Sequence, residues 1–293
     1  MAIPAGLIEG IRNLDPLPIT AQKLSQAVAN EDVPVGEIAE VIEYDQAVAA
    51  SILRAANSPL YAGLGTIEHV REAVVRMGTH TLLNIVLGDY LKRLRIEAPL
   101  YDLTENELWL HSAVASMAIG ELVDENPECD IPRSASVAAL IHDVGKLIVV
   151  RFMKADVKML LETCRKRNIT FVEAERAVLG CDHAEVGGAI ARRWRFPDEI
   201  VHAIERHHDA PVLEPTPMLD GVMLANLVAK TLGTGLGAEG MNFESDPECW
   251  RRQGVTFARF CRVCARTSLR VESLKESYGL SSEGPYGPAH KAA

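Results

Sequence analysis

The chain has 293 residues, with 40 acidic against 30 basic side chains and a formal net charge of −10 at pH 7. A surface this acidic repels the phosphate backbone, which argues against general nucleic-acid binding. Apolar residues make up 48% of the chain but aromatic residues only 5%, and such an Ala-, Leu-, Val- and Ile-rich mixture favours helices over sheets.

Apolar residues recur every three to four positions through most of the chain, which predicts helices. The first clear pair lies between Val35 and Asn57. Asp45 is expected to cap the second helix of this pair, and Pro59 to stop it, because the residue before a proline disfavours the α conformation. A loop at 61–66 and two helices at 70–77 and 80–94, separated by Gly78, are predicted next.

The second half of the chain follows a predicted junction at 97–99. Thr104 and Glu107 form a capping-box pattern for the helix that carries His111. After a loop at 125–132, another helix is expected to end at His142 and Asp143. Further helices are predicted at 154–167, 170–178, 182–194, 197–208 and 217–232, then a loop at 233–248, a broken closing helix at 248–277 and a disordered tail at 278–293. The fold class is therefore all-α.

The segment from His142 to Lys146, HDVGK, is the most informative chemical motif. Adjacent His and Asp offer an imidazole nitrogen and a carboxylate oxygen, a pair that suits a divalent metal acting on phosphates or activating water. Glu107 and His111 lie four residues apart, so both are expected on one face of their helix. His183 opens one predicted helix, and His207 and His208 close another.

These groups make five imidazoles and two carboxylates on four predicted helices. A single histidine on a helix is more often a surface or core residue than a ligand, but unrelated surface residues have no reason to recur in this arrangement. Helical bundles commonly build one- or two-metal sites from inward-facing Glu and His. A nitrogen and oxygen ligand set without thiolate favours Fe or Mn, with Zn as the alternative.

Other patterns in the sequence are weaker. The six cysteines are irregularly spaced, which indicates reduced thiols and a cytoplasmic protein. Neither a signal peptide nor an apolar run long enough for a bilayer is seen, so no membrane role is expected. The Cys261 and Cys264 pair lacks the second pair of a zinc ribbon. A helix-turn-helix around Gly78 is disfavoured, because the helix after it has no Arg or Lys before Lys92.

The order of these motifs resembles the HD superfamily of metal-dependent phosphohydrolases, and the second half is nearest to its HD-GYP branch. The first half is similar to the HDOD domain, an HD-related output domain of bacterial signalling proteins, through segments such as ILRAANSPLY and RMGTHTLLNIVL. The resemblance covers roughly residues 10–235, and 248–277 is similar to the family's closing helices.

The resemblance implies an HD-superfamily-like core preceded by an N-terminal helical subdomain. We divide the chain into 1–100 (N-terminal helical part), 101–235 (metal-site part), 236–277 (closing helices) and 278–293 (tail). It also implies a role in bacterial signal transduction, with an unidentified signalling protein as partner and one or two metal ions. The positions that match metal ligands of the pattern are Glu107, His111, His142, Asp143, His183, His207 and His208. Lys146 matches the lysine that contacts phosphate.

The chain departs from the HD-GYP pattern in two places. The aspartate that closes the ligand set is here Asn226, an uncharged and weaker ligand. The GYP segment after His208 is absent, which argues against hydrolysis of cyclic di-GMP. We therefore expect a regulatory protein with an HD-type metal site. The alternative is a phosphohydrolase acting on a nucleotide or other phosphoester, in which Lys146 and Asp143 would be catalytic.

Overall fold

The computed structural model describes residues 3–30, 32–61, 65–93, 105–152, 156–209, 211–235 and 246–277. Within these ranges the chain forms helices joined by turns and contains no strand. The prediction of an all-α fold is confirmed.

The described residues of the first part form six helices: α1 (Ala5–Arg12), α2 (Ile19–Ala29), α3 (Val35–Glu43), α4 (Gln46–Ala56), α5 (Val70–Met77) and α6 (Thr79–Arg93). Asp45 caps α4 as predicted, since its carboxylate accepts a hydrogen bond from the backbone N–H of Val48. The sequence analysis did not predict α1 and α2 individually.

In the part of the second half that the structure describes there are ten helices: α7 (Glu105–Glu125), α8 (Ala135–Ile141), α9 (Val144–Phe152), α10 (Asp156–Arg167), α11 (Phe171–Leu179), α12 (His183–Arg193), α13 (Asp198–Arg206), α14 (Pro217–Thr231), α15 (Pro247–Arg252) and α16 (Phe257–Ser277). The break expected in the closing helix separates α15 from α16. The junction at 97–99, Thr104 of the capping box, most of the loop at 233–248 and the tail lie outside the described residues. The domain boundary near residue 100 stays a prediction.

Three helices, α7, α8 and α14, form the centre of the second part. α7 packs against α8, α14 and α16, and α14 also contacts α8 and α13. All seven residues of α8 are buried, as are the residues of α14 from Met218 to Lys230. α8 consists of small and aliphatic residues, so it fits between its neighbours and carries the HDVGK segment into the interior. α12 packs on α9 and α13 and closes this side.

No helix within the described residues is long and apolar enough to cross a membrane.

Candidate metal centre

Most of the candidate ligands lie at the ends of helices. His142 follows the last residue of α8, and Asp143 lies between α8 and α9. His183 is the first residue of α12, and His207 caps the C-terminus of α13. His111 is the exception, because it lies within the long helix α7.

A close approach of two backbones brings Asp143 to His183. A Cβ atom added to Gly145 would lie 1.9 Å from the carbonyl oxygen of His183 and 2.7 Å from the backbone nitrogen of Gly187. The start of α9 therefore packs directly on the start of α12, which only glycine permits. Asp182 fixes that start of α12 through a capping box with Glu185.

Asp143 lies at the centre of the site. Its Oδ2 atom is 3.6 Å from Nε2 of His111 and 3.4 Å from Nε2 of His142. Its Oδ1 atom is 3.2 Å from Nε2 of His183 and 3.7 Å from Nε2 of His207. Each carboxylate oxygen thus faces its own pair of imidazoles.

The ligand atoms form two groups that share Asp143. Within each group the ligand atoms lie within 4.8 Å of one another. The first group is His111, His142 and Asp143, and the second is Asp143, His183, His207 and His208. His208 joins the second group through its Nε2 atom, 3.0 Å from Nε2 of His183. A carboxylate shared between two groups can bridge two ions.

Backbone carbonyls orient three of the imidazoles. Nδ1 of His111, His142 and His207 lies 2.9, 2.7 and 2.7 Å from the carbonyl oxygens of Thr234, Ala139 and Ile204. A carbonyl only accepts, so each Nδ1 carries a proton, and in the neutral imidazole Nε2 then presents a lone pair to Asp143. These three Nε2 atoms and Oδ1 of Asp143 are buried without a hydrogen-bond partner.

Buried polar atoms are normally hydrogen-bonded, and a cluster of exceptions needs a physical reason. A divalent transition metal provides one, because it bonds to the lone pairs of neutral imidazoles and to a carboxylate. The residues present therefore fit a metal ion.

The pKa shifts agree with a ligand role for most of these groups. Burial lowers the pKa of His111, and those of His142 and His208 fall well below the ordinary value, chiefly through burial. These imidazoles are therefore neutral. Burial raises the pKa of Asp143, but His142 and Lys146 outweigh it, and the pKa falls well below the ordinary value.

His183 differs because a buried carboxylate supports it. Glu175 accepts hydrogen bonds from the backbone N–H and from Nδ1 of His183, at 3.1 and 2.7 Å. Burial lowers the pKa of His183, but Glu175 and Asp143 more than reverse this and raise it to about 10. Metal binding at Nε2 of His183 would therefore displace a proton.

Three other residues of the predicted site are Glu107, Asn226 and Lys146. Glu107 is exposed on the first turns of α7, and the structure does not bring it into either group. Asn226 is buried in α14, and its side-chain oxygen has no hydrogen-bond partner. Lys146 is buried, and its Nζ donates a hydrogen bond of 2.8 Å to Oδ2 of Asp143.

Three residues at the site, Glu175, Lys230 and Thr234, were not predicted from the sequence. Glu175 shares its helix face with the buried Phe171 and Leu179, so a carboxylate at an apolar position was the available signal. Lys230 is buried in α14 and lowers the pKa of both His111 and His208. A lysine within the apolar run of α14 was a similar signal.

The turn after α14 closes the site next to His111. Gly235 has a φ of 63°, and a Cβ atom there would lie 2.6 Å from Cβ of His111. Only glycine combines this conformation with this close packing. The turn in this way aims the carbonyl of Thr234 at Nδ1 of His111, a contact that no local pattern predicts.

The fold and this buried centre define an all-helical protein with a histidine- and aspartate-based metal-type site. The profile of the HDOD domain matches residues 14–210. Because the match covers more than half of the chain, the chain belongs to the HDOD family.

Similarity to known proteins agrees with the assignment of the chain to the HDOD family. An uncharacterised protein of Treponema pallidum (strain Nichols) is 24% identical over 233 residues, which make up 78% of this chain and 45% of that protein. The chain thus spans less than half the length of this curated relative. The crystal structure of an HDOD domain protein of unknown function from Geobacter sulfurreducens matches with a TM-score of 0.73 and 25% identity, over 94% of this chain and 97% of that one.

Two further solved structures share the fold. A candidate signal transduction protein of Marinobacter aquaeolei VT8 matches with a TM-score of 0.75 and 22% identity, over 94% of this chain and 64% of that one. A candidate phosphohydrolase of Shewanella amazonensis SB2B matches with a TM-score of 0.68 and 21% identity, over 94% and 98% of the two chains. At these identities the likeness concerns the fold alone.

Proposed function

We propose that this HDOD protein is a regulatory component of bacterial signalling that holds one or two transition-metal ions and is not an efficient hydrolase. The observation that supports it is the set of three oriented imidazoles, His111, His142 and His207, whose unpartnered Nε2 atoms face Asp143. In this role the protein acts together with a signalling protein partner.

The donor atoms favour particular metals. The first ion would be held by His111, His142 and Oδ2 of Asp143, and a second by Oδ1 of Asp143 with the remaining histidines. These groups contain no thiolate, so Fe or Mn is favoured, with Zn as the alternative. A bound ion supplies Lewis acidity and lowers the pKa of a bound water.

Two features argue against efficient hydrolysis. Asn226 replaces a charged ligand by a neutral amide, which weakens both metal binding and the activation of water. Asp143 and Lys146 are each only 2% exposed, and the Lys146 ammonium is held by Asp143. A phosphoester would have to displace this arrangement before it reached either group.

One observation favours the alternative of a phosphohydrolase. Lys146 lies beside the shared carboxylate, where a cation could neutralise a phosphate. His208, which is only partly buried, would mark the side from which a nucleotide or other phosphoester enters.

Metal content tests the proposal most directly. Protein purified without chelator should contain stoichiometric Fe, Mn or Zn by elemental analysis, and His142→Ala should lose most of it. The exposed His69→Ala is the matched control and should keep the wild-type content. Less than about a tenth of an equivalent per chain, even after reconstitution, would exclude a metal site.

A phosphatase and phosphodiesterase screen separates the two functions. With added Mn(II) or Fe(II) the wild-type protein should show negligible turnover. Robust hydrolysis that requires metal and disappears in both His142→Ala and Lys146→Ala would establish the phosphohydrolase instead.

A further inference from the structure

A second candidate site lies away from the metal centre. A cavity of about 530 Å³ opens between α5 and α6 on one side and α7, α8 and α16 on the other. Small-molecule sites typically have volumes of roughly 300–1,000 Å³. None of the candidate metal ligands lines this cavity.

The charged residues of the cavity wall are mainly basic. Among the described residues, three arginines (Arg76, Arg133 and Arg270) but only one acidic residue, Asp124, line it. This is a local excess of positive charge on a chain whose net charge is −10. Such an excess attracts an anion.

Two of these arginines form ion pairs that an anionic ligand could replace. Arg133 pairs with Asp124, and both side chains are about half exposed, at 52% and 53%. Nη1 of Arg270 lies 3.1 Å from a carboxylate oxygen of Glu121. The exposed Arg133–Asp124 pair contributes little stability, and the Arg270–Glu121 pair is partly buried. Guanidinium groups bind phosphate through two parallel hydrogen bonds. A phosphate group would therefore compete well for these arginines.

The floor of the cavity is polar and joins three helices. Nδ2 of Asn84 on α6 donates hydrogen bonds of 3.1 Å to the hydroxyl oxygens of Ser116 on α7 and Ser136 on α8. Oδ1 of Asn84 is buried without a hydrogen-bond partner. A rotation of the Asn84 side chain would present this acceptor to an N–H donor on a ligand.

Apolar side chains complete the wall. Met77, Ile85 and Met117 also line the cavity. Thioether side chains adapt to flat or irregular ligands. The cavity thus combines phosphate-binding groups, an apolar wall and an amide acceptor.

We infer that this cavity binds a mononucleotide, with its phosphate on the arginines and an N–H group of its base on Asn84. The site goes beyond the proposed function because it uses none of the metal ligands. Ser116 shares α7 with His111, and Ser136 lies on α8, which ends at His142. The occupant therefore contacts two helices that position the metal centre, as an input signal must.

Calorimetric titration of the full chain tests the inference. AMP and GMP are the probes, with adenosine, guanosine and inorganic phosphate as separate arms. At least one mononucleotide should bind saturably and more tightly than its nucleoside or phosphate alone. Arg133→Gln changes an exposed side chain and should weaken this binding about tenfold or more. Arg251→Gln, an exposed and ion-paired arginine on α15, is the matched control and should leave it unchanged.

The position of binding is tested with the metal centre disabled. His142→Ala and chelator-treated protein should still bind the nucleotide, whereas loss of binding in both would place the ligand at the metal centre and overturn the inference. It is also overturned if neither nucleotide binds, if Arg133→Gln binds normally, or if phosphate alone binds equally well. The metal content of the same samples tests the proposed function independently.

Discussion

Asp143 presents a different carboxylate oxygen to each of two histidine pairs while it remains 2% exposed. A buried carboxylate is costly unless it is paired and hydrogen-bonded. Lys146 donates a hydrogen bond of 2.8 Å to Oδ2, and Nε2 of His183 lies at an ion-pair distance of 3.2 Å from Oδ1. Within the described residues, the buried Nε2 atoms of His111, His142 and His207 have no hydrogen-bond partner. They are therefore positioned for a cation that both they and the carboxylate can bind.

The substitution Asn226→Asp tests whether the missing carboxylate weakens metal binding. The variant adds a negative charge in α14, which should tighten metal binding on the order of tenfold in a competition titration. Turnover of a generic phosphodiester should stay negligible, because substrate positioning is lost along with the ligand. Asn226→Ala is the control and should not tighten metal binding. Hydrolysis by Asn226→Asp that depends on Lys146 would show that this one residue separates the chain from an enzyme.

Gly145→Ala tests the close approach of α9 and α12. The added methyl would overlap the His183 carbonyl, so the free energy of unfolding in urea should fall by about 1–3 kcal/mol or more. A Cβ atom at Gly120 in α7 meets nothing within 4 Å, so Gly120→Ala should be neutral or stabilising by about 0.5–1 kcal/mol. Equal effects of the two substitutions would contradict this packing.

At the scale of helices, those with a clear local pattern, such as apolar periodicity, were predicted from the sequence. Periodicity predicted α5 at 70–77, and the structure has Val70–Met77. α1 and α2, which each follow a proline at the N-cap without a side-chain cap, were not predicted as separate helices. α9 was missed because the preceding helix was expected to end at His142 and Asp143, whereas a new helix begins at Val144 and Gly145 allows its close packing.

At the candidate site, too, local sequence motifs predicted several residues, whereas contacts between distant segments could not be predicted. The HDVGK motif and the histidine spacing indicated residues that the structure brings together. Glu107 is four residues from His111, but the first turns of α7 are exposed while His111 is buried. The contact of His111 with Thr234 spans 123 residues, so it depends on the packing of α7 against α14. Sequence periodicity does not specify such contacts.

The interface between α16 and α7 contains an ion-pair contact whose contribution to stability depends on pH. Glu125, the last residue of α7, accepts a hydrogen bond of 2.7 Å from Arg262 and lies 3.0 Å from Arg266. The Arg262 hydrogen bond is the main cause that lowers the pKa of Glu125 below its ordinary 4.5. A lowered pKa in the folded state gives stability that is present above the ordinary pKa and is lost as pH falls through the lowered one.

Glu125→Gln should therefore lower Tm at pH 7, since the neutral amide leaves both arginines without their carboxylate. The difference in Tm from the wild type should shrink as pH falls through the pKa of Glu125. Thermal unfolding measured from pH 7 down to about 3.5 checks this. Glu128→Gln, an exposed residue after the same helix end, should leave the profile unchanged. A difference in Tm that is constant with pH would assign the effect to packing.

For the whole molecule, the metal centre joins elements that are distant in sequence. Its ligands come from α7, the ends of α8 and α13, and the start of α12. α7 also packs against α14 and α16, so the site lies against the most buried part of the fold. An ion bound here would stabilise the native packing of these helices, because the unfolded chain holds no preformed site.

Chelation should therefore lower the melting temperature of the metal-loaded protein. A ligand that binds only the native state stabilises it by about 2.7 kcal/mol at a free concentration 100 times its Kd. For a chain of this size each kcal/mol corresponds to roughly 2–4 °C, so EDTA should lower Tm by several degrees in differential scanning calorimetry. His142→Ala should melt at the same temperature with and without EDTA, whereas His69→Ala should keep the wild-type difference. If chelation left the wild-type Tm unchanged although elemental analysis had found metal, the ion would be bound elsewhere than among these helices.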